Sequence, residues 1–310
     1  MSLPALLRNR LALPLIGSPM FIISQPELVI AQCRAGIVGA FPSLNARPSG
    51  LFETWLQRLQ AELTDADAPF AVNLIVHRTN SRLEEDLALC VRYQVPIVIT
   101  SLGAREDVNQ AIHSYGGIVL HDVINDRFAH KAIEKGADGL IAVAAGAGGH
   151  AGTLSPFALV QEIRAWFDGP LALSGAIATG RAIAAARMMG ADLGYMGSPF
   201  IATTEANADA AYKQMIVDAR ADDILYSDVF TGVSGNYLRP SIIAAGLDPD
   251  ALPKAKDMDF ASLTGGEKKA WRDVWGCGQG IGAIDKVQPA ADFIAGLQAD
   301  YRAAVAGFTA

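Results

Sequence analysis

Cysteine is scarce in this sequence. Three residues (Cys33, Cys90 and Cys277) are spread over 310 positions, an odd and widely spaced set. That excludes a disulfide framework and fits a reducing compartment. Charge is also thin, at 18%, and its balance is acidic, with a net charge of −7. A nucleic-acid partner, which leaves a basic footprint, is therefore not expected. No run of like charge suggests a tail or a membrane-surface helix. Long apolar runs free of charge are missing as well. The opening MSLPALLRNRLALPLIGSPMFII carries too many prolines and charges for a spanning helix, and it lacks the layout of a signal peptide. The expected location is the cytoplasm.

What is present is an apolar fraction of 51%, enough for a substantial core. Short apolar runs recur with amphipathic segments between them. Eight read as strands: 13–20, 37–41, 70–75, 96–101, 117–122, 138–144, 171–176 and 192–198. Leu83, Leu87, Cys90 and Val91 share one helical face between two of these runs. Ala208, Ala211, Tyr212, Met215, Ile216 and Ala219 share another. Ser155 and Pro156 form a helix start, and helices are expected to end at Gly36, Gly116, Gly136, Gly169 and Gly190. Strands this apolar are buried on both faces, as parallel strands are. Eight βα units in about 220 residues match a (β/α)8 TIM barrel. The runner-up is an open doubly wound sheet, which wants a dinucleotide fingerprint in its first turn; that turn here reads SPMFIIS.

The expected organisation is a barrel over 1–222, closed by 286–310, with a small lid or substrate-covering subdomain over 223–285. A final helix over 288–308 would carry Phe293, Ile294, Leu297, Tyr301, Val305 and Phe308 on one stripe.

In such a barrel the chemistry sits at the strand C-termini and the loops that follow them. The last two strand ends, LSGAIATG and YMGSPFIAT, each set serine beside glycine. Exposed N–H groups at such turns suit a phosphate. The stretch AAGAGGHAGT, residues 144–153, packs four glycines and His150 behind the sixth strand. Glycine lets backbone approach a ligand, and an imidazole titrates near neutrality as a general base should. His77, His113, His121 and His130 show no metal-ligand spacing, so no metal is expected. Gly146, Gly148 and Ala151 match G-x-G-x-x-A, but no helix starts there and no acidic strand end follows. GVSGN around Ser234 has the wrong spacing for a nucleophile elbow.

Taken in order, these motifs resemble the nitronate monooxygenase (2-nitropropane dioxygenase) family of FMN-dependent TIM barrels. The resemblance runs through PM at 19–20, AVNL at 71–74, AGGHAG at 147–152 and LSGAIATG at 173–180. It continues through GADLGYMGSPFIAT at 190–203, DVFTG at 228–232 and WGCGQGIGAI at 275–284. It implies FMN as cofactor, with Pro19 and Met20 beside the isoalloxazine and Asn73 hydrogen-bonded to it. Gly148 and Gly149 would pass close to the ring system. Ser174, Gly175, Ala176, Gly197 and Ser198 would hold the phosphate, and His150 falls on the catalytic histidine.

Two departures stand out. The chain continues PM as PMFII, a more apolar edge than the family's, and it has Asp122 where some relatives carry lysine. The expected activity is oxidation of alkyl nitronates, with a small-molecule substrate and O2 as partners; a homodimer is compatible with it. The alternative on the same barrel is NAD(P)H-dependent reduction of a quinone or enoyl thioester. A non-redox lyase or epimerase would want a lysine or acid pair that the strand ends lack.

Overall fold

The computed structural model describes residues 3–48, 50–252 and 274–308. Eight parallel strands make one sheet: β1 (Leu15–Gly17), β2 (Gly39–Pro42), β3 (Phe70–Ile75), β4 (Ile97–Ser101), β5 (Ile118–Val123) and β6 (Gly139–Val143), then β8 (Leu171–Ser174) and β9 (Leu193–Met196). Its order is β1-β9-β8-β6-β5-β4-β3-β2. The two ends meet through a parallel bridge between Ile16 and Val38, where Gly17 N–H donates to Val38 O (2.7 Å). That closure makes the sheet a TIM barrel and removes the open doubly wound alternative.

Strand residues alternate between two destinations, as the pleat requires. Ile16, Val38, Ala40, Ala71, Ile97, Ile99, Leu120, Ile141, Ala172 and Leu193 fill the barrel interior. The residues between them, including Phe41, Val72, Val98 and Val119 on one side and Leu140, Leu171 and Leu173 on the other, pack under the surrounding helices. Extended one step upward, the inward parity delivers Asn73, Ser101, Asp122 and Ser174 to the C-terminal mouth. The site's polar layer is therefore a direct product of strand register.

The helices end as expected at Gly36, Gly116, Gly136 and Gly190, each at positive φ. Gly169 does not adopt that conformation. Ser155 stands at the N-cap of the helix Pro156–Arg164 but makes no side-chain cap, whereas Asn125 and Thr179 cap their helices through Phe128 N–H (3.0 Å) and Ala182 N–H (3.1 Å). The closing helix runs Ala290–Phe308 and buries Ile294 and Leu297, but the expected stripe fails at its outer end, where Val305 and Phe308 are exposed. It lies on the helix Gly180–Met188 so closely that a Cβ at Gly180 would stand 2.2 Å from Leu297 O. Only glycine admits that approach.

A second, three-stranded antiparallel sheet has the order β10-β11-β7, from β10 (Ile224–Ser227), β11 (Gly235–Leu238) and β7 (Gly149–His150). Gly235 pairs with His150 and Asn236 with Gly149. The region read as a lid is thus hydrogen-bonded to the glycine-rich loop. Residues 253–273 of it lie outside the described residues.

Candidate active site

A cavity of about 630 Å³ opens over the C-terminal ends of the barrel strands. Pro19, Met20, Asn73, Gly148, Gly149, His150, Ser174, Gly197 and Ser198 line it, nine of the eleven residues named from sequence. Gly175 and Ala176 do not. They form a strained turn behind the wall, with φ of +151 and +54, and Ala176 N–H donates to Gly146 O (3.2 Å).

His150 sits on β7 in the cavity wall. Its Nε2 is 3.0 Å from Thr231 Oγ1, and that hydroxyl donates to Val233 O (3.0 Å). Oγ1 therefore accepts from Nε2–H, which puts the ring's basic lone pair on Nδ1. Burial pushes His150 down to about 4, so the ring is neutral at physiological pH.

Asn73, Ser101 and Asp122 form a row on three adjacent strands. Asn73 Nδ2 donates to Ile99 O (3.0 Å) and to Ser101 Oγ (2.8 Å), and Ser101 Oγ donates to Asp122 Oδ2 (2.7 Å). The amide nitrogen of Asn73 is thus committed to the barrel. Its carbonyl oxygen has no hydrogen bond among the described residues and can accept one from a ligand. Burial raises Asp122 to about 6 against the Ser101 hydrogen bond, which lowers it. Behind the row, His121 Nδ1 is 2.6 Å from Thr100 Oγ1, and burial pushes His121 down to about 4.

The glycine-rich segment 275–282 belongs to this site. Gly276 and Cys277 line the cavity, Gly278 N–H donates to Ser198 Oγ (2.7 Å), and Gln279 N–H donates to Gly146 O (2.9 Å). A Cβ on Gly278 would lie 2.6 Å from Gly146 O. Tyr212 stacks on Trp275 at 4.6 Å between ring centres and donates to Gly276 O, holding the segment in place. Burial keeps Cys277 protonated, with its thiol well above the ordinary value. Gly197 needs no unusual backbone, at φ −113, and a Cβ there would make ordinary contact with Ser18 and Met20. Sequence reasoning placed Ser101 at a strand end facing the site but missed Tyr195 in the cavity lining and Thr231 as the partner of His150. Thr231 lay within the quoted DVFTG, and strand parity from the inward Leu193 marks Tyr195.

Phe21, Leu44, Ile124 and Phe128 form an apolar rim, with Arg47, His77 and Lys131 among them. Arg47 lies 5.2 Å over the Phe21 ring. Among the described residues no group of three or more metal-ligating side chains occurs, and no helix is long and apolar enough to cross a membrane.

The nitronate monooxygenase family model matches residues 78–300. The chain belongs to that family. It is accordingly an oxidoreductase. The nitronate monooxygenase of Paraburkholderia phytofirmans is 24% identical over 94% of this chain and 93% of its own length. That of Pseudomonas aeruginosa is 26% identical over 80% of this chain and 82% of its own. Among solved structures, a FabK point variant from Thermotoga maritima superposes with a TM-score of 0.81 at 26% identity, covering 98% of this chain and 96% of that one. Nitroalkane oxidase from Streptomyces ansochromogenes gives 0.79 at 21% identity, covering 98% and 100%, a likeness of fold.

Proposed function

We propose that the chain is an FMN-dependent nitronate monooxygenase, oxidising alkyl nitronates with O2. The observation that carries this reading is His150 on the wall of the barrel-mouth cavity of a family member. The cavity fits the cofactor's chemistry. It is large enough for a flavin and a small substrate, and it offers an apolar slot at Pro19 and Met20, an acceptor at Asn73 and an unpartnered acid oxygen at Asp122. Ser174, Gly197 and Ser198 are the residues to hold the phosphate, with Gly175 and Ala176 shaping the turn beneath. Bound there, the flavin supplies electron transfer between substrate and O2.

The chain's own part is binding and proton handling. A neutral His150 can accept a proton at Nδ1, but a base near 4 is weak for removing a proton from carbon. The site therefore suits a nitronate that arrives as the anion better than a neutral nitroalkane. The described residues of 223–285 serve in this reading as the cover that supplies Thr231 and the 275–282 segment.

The apolar rim favours a second reading: NAD(P)H-dependent reduction of a bulky neutral acceptor, a quinone or an enoyl thioester. One anaerobic experiment separates the two. The FMN-loaded chain is mixed with ethyl nitronate and, separately, with NADH and NADPH, and the flavin's visible absorbance is followed. Loss of absorbance with nitronate alone is the expected result. Rapid loss with a nicotinamide and none with nitronate would transfer the assignment to the reductase. A chain that neither carries nor takes up FMN overturns both.

A further inference from the structure

Three aspartates deep in this fold are treated differently. Asp86, fully buried, receives Ser43 Oγ (2.6 Å) and Arg82 Nη2 (2.8 Å). Asp192 receives Arg164 Nη2 (2.6 Å) and Leu171 N–H (2.9 Å). Each has a guanidinium. Asp122 makes no ion pair among the described residues, and only Ser101 donates to it. Its Oδ1 is fully buried without a partner, on a side chain that lines the cavity. An orphaned carboxyl oxygen is costly in a finished interior. Two of the three acids are structural; the third is built to meet something.

The groups around it leave the proton to Asp122. Ser101 and Asn73 face it from β4 and β3 and do not titrate. Tyr195 on β9 is held well above its ordinary value by burial and by the Asp122 charge. His121 beside it and His150 across the cavity are both neutral above about pH 5. Arg47, His77 and Lys131 line the rim, and Tyr212 and Cys277, which also line the cavity, are both held well above their ordinary values by burial. A carboxyl without a cation beside it, meeting an acceptor oxygen, must be the neutral acid to make a hydrogen bond.

We propose that Asp122 is a ligand-binding acid whose Oδ1 bears a proton and donates it to a carbonyl or anionic oxygen of the occupant above the Asn73–Ser101–Asp122 row, so that filling the site takes up one proton. The proposal rests on the flavin reading of the cavity. The oxygen belongs either to the flavin's ring carbonyls or to the substrate, and the two sources separate in the test. No bond is broken; the proton comes from solvent and stays shared between Oδ1 and the acceptor.

Calorimetric titration of FMN into the flavin-stripped chain at pH 7.5, in two buffers of different ionisation heat, counts the protons. The wild type should take up about one proton per FMN more than Asp122→Asn. Its Kd should weaken about tenfold per pH unit between pH 7 and 8.5, while Asp122→Asn, whose amide still donates, stays flat. Propionate, isosteric with ethyl nitronate, is then titrated into the FMN-loaded chain in the same way. Uptake with FMN assigns the oxygen to the flavin, and uptake only with propionate assigns it to the substrate. Should Asp122→Asn fail to fold, Ser101→Ala serves. Losing the donor to Oδ2 should move the onset of the pH dependence upward. FMN binding with no proton uptake by the wild type in either titration, or with uptake unchanged in Asp122→Asn, overturns the proposal while leaving the cofactor reading intact. Failure to bind FMN overturns both.

Discussion

His150 and Asp122 face one cavity from opposite origins. The histidine lies on β7, and the hydroxyl that orients it comes from Thr231, 81 residues away. The aspartate lies at the end of β5, and its one donor among the described residues, Ser101, is the matching residue of the neighbouring strand, 21 residues away. Burial drives both toward neutrality, which means down to about 4 for the imidazole and up to about 6 for the carboxyl. The cavity is thus a medium that disfavours charge, and its neutral groups are kept in place by hydrogen bonds rather than ion pairs. One group depends on the covering sheet, the other on the barrel alone.

The largest effect expected from breaking this pairing is catalytic. His150→Asn removes the base while the barrel row remains, so FMN binding should persist. Turnover of a neutral nitroalkane should fall by about 10²-fold, the low end of the usual contribution of general-base catalysis because a base near 4 is weak. Loss on a pre-formed nitronate should be smaller, since no carbon proton has to be removed. Steady-state rates on the two forms of one substrate measure the gap. Equal rates for mutant and wild type on both would return His150 to a structural role.

Stability sharpens the contrast through its sign. Between about pH 4 and 6 the folded chain keeps Asp122 protonated while the unfolded chain, with its carboxyl near 3.8, has released that proton. Native protons exceed unfolded ones, so this group makes stability fall as pH rises. His150 does the reverse: near 4 when folded and 6.5 when unfolded, it makes stability rise over the same window, and His121 adds the same sign. Asp122→Asn should therefore steepen the upward slope of stability with pH by about one proton, and His150→Asn should reduce it by about one. At pH 7 Asp122→Asn should be more stable than the wild type by up to about 3 kcal/mol, from roughly two units at 1.36 kcal/mol each. Urea unfolding of the three proteins at pH 4.5, 5.5 and 7 reads all of this. Parallel slopes would show that Asp122 and His150 titrate alike in both states.

The same two residues mark how far the sequence could be read. Asp122 and its row follow from strand parity, because inward-facing positions of a (β/α)8 barrel repeat every second residue and the mouth is the next inward step. The glycines at 36, 116, 136 and 190 were legible for a similarly local reason: each ends a helix at positive φ. His150 could be placed at a strand end, but not its partner, since nothing local ties residue 231 to residue 150. The segment 275–282 had the same fate. Read from sequence only as part of the lid, it is tied to the site by Gly278 and Gln279 donating to Ser198 and Gly146. Ala176 errs in the opposite direction. Its motif suggested a phosphate contact, but its N–H is spent on Gly146 O. Val305 and Phe308 keep helical spacing yet stay exposed at the end of the closing helix.

The smallest of the expected effects tests the dependence of His150 on its cover. Thr231→Val keeps the shape of a buried side chain and removes the hydroxyl that accepts from Nε2–H. An imidazolium donates from both nitrogens, so an acceptor at Nε2 favours the charged form, and its loss should push His150 further below 4. The fall in turnover on a neutral nitroalkane should be about tenfold or less, since the ring stays in the wall and loses only its orientation. A purely structural role for Thr231 would lower the rate equally at all pH values. An orienting role moves the acidic limb of the pH–rate profile to lower pH, and Thr231→Ser, which restores the hydroxyl, should bring it back. If Ser and Val variants behave alike, the hydrogen bond at 3.0 Å does not govern the histidine, and the wall and the floor of the site differ less than their origins suggest.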